Sequence, residues 1–194
     1  MNIATRLSSV EMPIVLVKEF AYCPRIAFYK YFTVWEPPTE SMKFPQYTKL
    51  HLARILRSYA IEGDIYMEYP VKSKSLGIYG KIDAIIINGN KLYVVEVKLD
   101  TSKTRLRKKS FHHLLQLAAY TIAIEETFRK PVDKSLIAVL SRDEIIETRI
   151  GPTTRKTLIN MVKEMKKYIN QQQLPPKTPI KTRCNHCFYK KICT

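Results

Sequence analysis

Gly80-Lys81-Ile82-Asp83-Ala84-Ile85-Ile86-Ile87 and Lys91-Leu92-Tyr93-Val94-Val95-Glu96-Val97-Lys98 flank Asn88-Gly89-Asn90. Two apolar runs around an Asn-Gly signal read as a β-hairpin. Both runs are almost continuously apolar, which places both strands inside a sheet covered on two faces. Asp83 and Glu96 interrupt them, and a buried carboxylate is costly unless it is paired or binds a cation. With Asn88-Gly89 as the turn pair, Asp83 faces Val94 and Glu96 is its diagonal neighbour. With Gly89-Asn90 as the pair, Asp83 faces Glu96 directly. In both registers the carboxylates share a sheet face, about 4.5–5.5 Å apart at Cβ if opposite and about 7–8 Å if diagonal. Lys98, two residues past Glu96, shares that face. Two close carboxylates repel unless a cation sits between them, and oxygen ligands favour Mg²⁺ or Mn²⁺. A lysine beside them can orient an attacking water and stabilise charge developing on a phosphoryl group. That is the chemistry of phosphodiester hydrolysis; a buried Asp/Glu–Lys ion network without catalysis is the alternative.

Outward from the hairpin, helical and strand signals alternate. Val17 to Phe32 reads as helix interrupted near Cys23-Pro24, and Gln46 to Ile61 as a helix with Leu52, Ile55, Leu56 and Tyr59 on or near one face. Ile65 to Val71 is a strand ahead of the hairpin. Thr101 to Lys109 is basic and polar, and a helix over 110–128 follows it. Strands are expected over 135–140 and 145–150, then a helix from Pro152 to about Asn170 with a basic face of Lys156, Lys163, Lys166 and Lys167. Residues 171–177 form a linker. The order implies one α/β unit with a mixed sheet flanked by helices. Its expected divisions are an N-terminal helical region (1–60), a core (61–150) and a C-terminal helix with a cysteine cluster (151–194).

The chain has 194 residues, 45% of them apolar, so it can bury a core unaided. Lys and Arg number 33 against 17 Asp and Glu, a net charge of +16. Such an imbalance points to a polyanion, nucleic acid before acidic membrane. No run of eighteen apolar residues is present, so no membrane partner is expected, and nothing at Met1 to Val10 reads as a signal peptide. The expected location is cytoplasmic. No G-x-x-x-x-G-K-[ST] phosphate loop occurs, so no ATPase is carried. There are four cysteines: Cys23, and the C-x2-C-x5-C of Cys184, Cys187 and Cys193. In a reducing compartment they are better metal ligands than disulfides. Four thiolates suit either zinc or an iron–sulfur cluster, and the spacing leaves both open. Either would staple together segments 161 residues apart.

Gly80-x-x-Asp83, Glu96-x-Lys98 and, eighteen residues on, Gln116-x-x-x-Tyr120 together resemble the PD-(D/E)xK nuclease superfamily, specifically its RecB-like branch. With Cys23-Pro24-Arg25 and the C-terminal triad, the chain is similar to the iron–sulfur nucleases of that branch. Its length and feature order resemble the CRISPR-associated RecB-like exonucleases of the spacer-acquisition machinery. The resemblance implies a restriction-endonuclease-like fold with an iron–sulfur module built from the two terminal regions. It implies Asp83, Glu96 and the Val97 carbonyl as ligands of Mg²⁺ or Mn²⁺, His51 as a further metal ligand, and Lys98 as the catalytic lysine. It implies Cys23, Cys184, Cys187 and Cys193 on a [4Fe–4S] cluster, and Gln116 and Tyr120 in substrate support, where i,i+4 spacing gives them one helix face. His112 lies on that face too; His113 and His186 receive no role. Lys103, Arg105, Arg107 and the basic last helix would track phosphates. The expected activity is metal-dependent cleavage of DNA, exonucleolytic on single strands or DNA ends. The expected partners are DNA and the integrase complex, with self-association open. The alternatives are a non-catalytic adaptor stapled by zinc or a cluster, and a DNA-repair nuclease.

Overall fold

A computed structural model describes residues 10–33, 49–108 and 110–193, apart from the side chains of 107 and 108. The elements are β1 (Met12–Pro13), α1 (Val15–Tyr22), α2 (Pro24–Phe32), α3 (Lys49–Ser58), β2 (Asp64–Ser73), β3 (Ile78–Asn88) and β4 (Lys91–Lys98). Then come α4 (Lys103–Lys108), α5 (Phe111–Phe128), β5 (Lys134–Val139), β6 (Glu144–Thr148) and α6 (Pro152–Asn170). Single 3₁₀ turns cover Leu140–Arg142, Lys181–Cys184 and Phe188–Lys191. The six strands form one mixed sheet in the order β1-β3-β4-β5-β6, with β2 on the other edge of β3.

β3 runs antiparallel to β2 and β4, β4 runs parallel to β5, and β6 returns antiparallel to β5. Asn88 pairs with Lys91, so the hairpin turn is Gly89-Asn90. Gly89 has φ +55, which suits glycine at the first position of a two-residue loop. Of the two registers the sequence left open, the one that sets residue 83 level with residue 96 is found.

Each face of the sheet has its own core. Leu92, Val94, Ile137 and Val139 pack beneath α1, α5 and α6, whereas Tyr93, Val95, Leu136 and Ala138 pack against Leu52, Ile55 and Leu56 of α3. Tyr59, expected on that face of α3, lies beyond its end and is 45% exposed. The basic stretch read as polar connection is partly helical: Leu106 is buried and anchors α4. α1 and α2 are separate helices because Cys23 is extended (φ −156) and Pro24 opens the second. Arg155 clamps α6 to α5 through a bidentate pair with Glu125 at 2.6 and 2.8 Å.

Candidate active site

The β3–β4 ladder stops at Ala84↔Val95, one step before Asp83 and Glu96 would pair. β3 also changes face there. Ile78 and Ile82 join the core under α5, and so do Ile85 and Ile87, so the alternation skips a beat between 82 and 85. β2 makes the matching change: Ile65 and Met67 face α3, while Tyr69 and Val71 face α5. The pivot opposite Asp83 is Glu68, a non-glycine residue with φ +50, and the 68/83 pair is missing from an otherwise regular register. The parity expected from sequence, with Asp83 on one face of a flat hairpin, is therefore replaced by a twist centred on Asp83.

The twist leaves the Asp83 carboxylate facing the end of β4. Val97 N–H donates to Asp83 Oδ2 at 2.6 Å, so the side chain takes a donor that continued pairing would have given to the main chain. Glu96 is 4% exposed, and Lys98 Nζ donates to its Oε1 at 2.5 Å. Among the described residues no hydrogen bond engages Asp83 Oδ1 or Glu96 Oε2. Burial first, and then the Glu96 charge, push the Asp83 carboxyl up to about 7. Val97 N–H and Lys98 act in the opposite direction. A carboxylate pair, Glu96 buried and Asp83 half-buried, with two uncommitted oxygens fits a hard divalent cation.

α5 closes this site from above. Gln116 is 6% exposed and Tyr120 5%, so neither is helix surface. Tyr120 OH donates to Lys81 O at 3.0 Å, which ties α5 to the strand bearing Asp83. Burial and then the Glu96 charge raise the Tyr120 phenol, while a hydrogen bond from Gln116 lowers it. Gln116 Oε1 is buried with no hydrogen-bond partner. Gly80 is small because a Cβ there would lie 3.2 Å from Tyr120 Cε1 and 3.3 Å from Ile14 Cβ.

His51 is engaged by Asp143. Its Nε2 is 2.9 Å from Asp143 Oδ1, and Arg54 Nη2 donates to Asp143 Oδ2 at 2.8 Å. Among the described residues, no three His, Cys, Asp or Glu side chains converge as ligands of one metal ion. The carboxylates and lysine are thus brought together with Gln116 and Tyr120, while the contact seen for His51 Nε2 is Asp143. Lys103 and Arg105 are exposed, with Arg105 Nη1 3.3 Å from Asp100 Oδ2. The Arg107 side chain falls outside the described residues.

The four cysteines do meet. Cys23, Cys184, Cys187 and Cys193 all line one cavity of about 140 Å³ with Arg25, Tyr29, Arg183 and Tyr189. Cys23 sits there because it is the link between α1 and α2; its N–H donates to Glu19 O and its carbonyl accepts from Ile26 N. Arg25 Nη1 is 3.5 Å from Cys193 Sγ, and its Nε donates to Pro175 O at 2.9 Å. Burial raises the Cys187 thiol, Tyr189 N–H lowers it, and the other three thiols raise it again, which shows how close the four stand. The sequence quoted Arg25 only as context; its guanidinium spans the joint between the termini. His113 carries no role in the sequence reading, yet its buried Nδ1 lacks a partner, and burial first and then the Lys98 charge hold its imidazole neutral. Only its i,i+3 spacing to Gln116 could have drawn attention to it.

Residues 34–194 match the profile of the PD-(D/E)XK nuclease superfamily. A CRISPR-associated exonuclease Cas4 of Aeropyrum pernix is 33% identical over 93% of this chain and 94% of its own. That of Francisella tularensis subsp. novicida is 24% identical over 100% of this chain and 98% of its own. The crystal structure of SSO0001 superposes with a TM-score of 0.56 over 98% of this chain and 90% of that one; at 21% identity the likeness is one of fold. The chain belongs to the PD-(D/E)xK nuclease superfamily and, within it, to the CRISPR-associated Cas4 exonucleases.

Proposed function

We propose that this nuclease hydrolyses phosphodiester bonds of single-stranded DNA or DNA ends at the twist between β3 and β4. In this reading Asp83 and Glu96 hold Mg²⁺ or Mn²⁺, with the Val97 carbonyl beside them. The observation that carries it is the opposed Asp83/Glu96 pair, each carboxylate fixed by one donor and open on its other oxygen. A bound divalent ion supplies a Lewis acid and a water made more acidic by coordination. Val97 N–H keeps Asp83 in one rotamer. Lys98 keeps its ammonium at the edge of Glu96, where it can orient the attacking water and meet charge building on the phosphoryl oxygens. Tyr120, tied to Lys81, and Gln116 wall the site and offer polar contacts to the nucleotide. A ligand role for His51 would fall to Nδ1 with Nε2 kept on Asp143, the carboxylate orientation common for metal-bound imidazoles, or to Nε2 after that bond breaks. Lys103 and Arg105 are assigned to the phosphate path, Arg105 only after release from Asp100.

The four thiols are assigned to a [4Fe–4S] cluster. They line one cavity, and a set of four thiolates is what the cluster implied by the resemblance requires. Kinship with CRISPR-associated exonucleases supports a place in spacer acquisition, preparing DNA ends for the integrase complex. Cleavage of labelled single-stranded DNA with Mg²⁺ or Mn²⁺ tests the core of the reading. Wild type is expected to degrade it and Lys98→Ala to lose activity; equal behaviour of the two refutes the assignment. Anaerobic purification with metal analysis tests the cluster: visible absorption with iron is expected, and a colourless protein holding zinc refutes it.

A further inference from the structure

The four-cysteine cavity and the candidate active site are joined by one continuous set of contacts. Tyr22 precedes Cys23, and Arg183 precedes Cys184. The two meet across the joint: Arg183 Nη1 donates to Tyr22 O, and its guanidinium carbon lies 4.4 Å from the centre of the Tyr22 ring. The other side of Tyr22 meets His112 of α5 edge to face, at 5.2 Å and 71°. His112 stands 4.3 Å from His113, whose buried Nδ1 has no partner and whose neighbour in charge is Lys98. Three residues further on α5 is Gln116, and seven further is Tyr120.

We propose that Tyr22, Arg183 and His112 are positioning residues that couple the filling of the four-thiol cavity to the setting of the first turns of α5, which carry Gln116 and lead to Tyr120. The proposal rests on the cluster and nuclease assignments above and adds a route between them. The physical grounds are threefold. Both ends of the Tyr22–Arg183 contact are peptide neighbours of thiols, so any ligand that draws the four sulfurs together must move them. α1 packs along α5, so Tyr22 cannot shift without shifting His112. His112 is also held neutral, by burial first and then by Arg183 and Lys18, so that it accepts a cationic neighbour across the Tyr22 ring without repulsion. Burial likewise keeps His113 neutral, so its buried, unpartnered Nδ1 adds no charge at the start of α5. The rings of Tyr22, His112 and His113 are half-buried and in contact, and packed side chains transmit displacement to their neighbours.

The test uses full-length protein purified anaerobically with its thiol-bound metal. Nitrogen-15 NMR follows the His112 and His113 side chains before and after a chelator empties the thiols. In wild type both imidazoles are expected to shift; in Tyr22→Leu they are expected not to respond. Kinetics on single-stranded DNA follow Tyr22→Leu, His112→Leu and the double variant. Each single variant should lower kcat by about 2- to 30-fold with KM and metal content unchanged. The double variant should be no worse than the worse single, because one route is cut twice. Tyr22→Phe, which keeps the ring, should restore wild-type kcat. Imidazoles that ignore emptying of the thiols, additive kinetic losses, or a change confined to KM would overturn the proposal. Should Tyr22→Leu shed its metal, His112→Leu decides alone, since His112 on α5 is not adjacent in the chain to any cysteine. A lowered kcat at full metal content upholds the route and an unchanged one overturns it. Wild type without cleavage would sink the nuclease reading while the imidazole signals still judge the coupling. Wild type without thiol-bound metal would sink the cluster reading, and the route with it.

Discussion

Gly80→Ala is expected to destabilise the protein through a single contact. Gly80 is not among the glycines with positive φ, which are Gly63, Gly77 and Gly89, so alanine meets no backbone strain. It would even restrict the unfolded chain and so recover about 0.4–1 kcal/mol. The opposing effect is larger. The new Cβ would stand 3.2 Å from Tyr120 Cε1, 3.3 Å from Ile14 Cβ and 3.4 Å from the Tyr120 hydroxyl oxygen. Carbon atoms prefer roughly 3.5–4.0 Å, so the ring must retreat by a few tenths of an ångström. Ile14 is 0% exposed and Tyr120 5%, so neither has free space to retreat into. Overpacking of that kind costs about 1–3 kcal/mol. Retreat also stretches the 3.0 Å bond from Tyr120 to Lys81 O, a bond of a kind that contributes about 1 kcal/mol. The net loss is about 1–2 kcal/mol, each kcal/mol lowering Tm by about 2–4 °C in a chain of this size. Urea midpoints of Gly80→Ala, Tyr120→Leu and the double variant measure it. Leucine vacates the space of the ring edge, so Gly80→Ala should cost little in that background. An equal loss in both backgrounds, or a gain in wild type, would refute the contact as the reason for glycine.

Two further outcomes follow from the site and the staple. The Asp83 carboxyl is raised from 3.8 to about 7, by burial first and then by Glu96, so the folded state keeps a proton that the unfolded chain has released. Stability of the metal-free protein should therefore fall as pH rises through the interval between those two values and level off above it, because the native state binds the more protons there. Saturating Mg²⁺ should flatten or reverse the trend in denaturation melts, and a metal-free stability that rises across the interval would contradict the buried pair. Cys23→Ala should lose the thiol-bound metal and free the C-terminal segment from a closure of 161 residues, which carries about 4–5 kcal/mol of chain entropy. Faster proteolysis after residue 170 with the core still folded is the expected sign; full metal content in this variant would rule out Cys23 as a ligand.

The parts of the fold that sequence exposed are those fixed by neighbours in the chain. The hairpin follows from two apolar runs around Gly89, and the α1–α2 break follows from Pro24. What was hidden depends on residues far apart. Nothing local marks Glu68, a glutamate, as the left-handed pivot opposite Asp83, since that conformation is imposed by the twist of two paired strands. The helix carrying His51 was legible from its apolar face, but the partner of His51 was not, because Asp143 reaches it from a left-handed turn 92 residues later. α4 has little signal in the sequence because, among its described side chains, only Leu106 is buried in an otherwise basic stretch. The cysteines were legible as a set because there are four, while their companions Arg25, Tyr22 and Arg183 became visible only when the two ends met.

The place of the candidate site follows from the sheet itself. Had β3 and β4 stayed paired past Ala84, Val97 N–H would have bonded to the β3 main chain and Asp83 would have pointed into one of the two apolar cores, where an ionised carboxylate is costly. The change of face at 68/83 avoids both outcomes at once. It frees Val97 N–H for the Asp83 carboxylate and turns that carboxylate toward Glu96 at the end of the ladder. The same twist brings Gly80 under Tyr120, so the helix that walls the site registers on the strand that supplies its first carboxylate. In the proposed reading a divalent cation sits between these two acids, at the oxygens that Val97 N–H and Lys98 leave unused. Lys98, already paired with Glu96, stands next to that place and needs no movement of the backbone to act there.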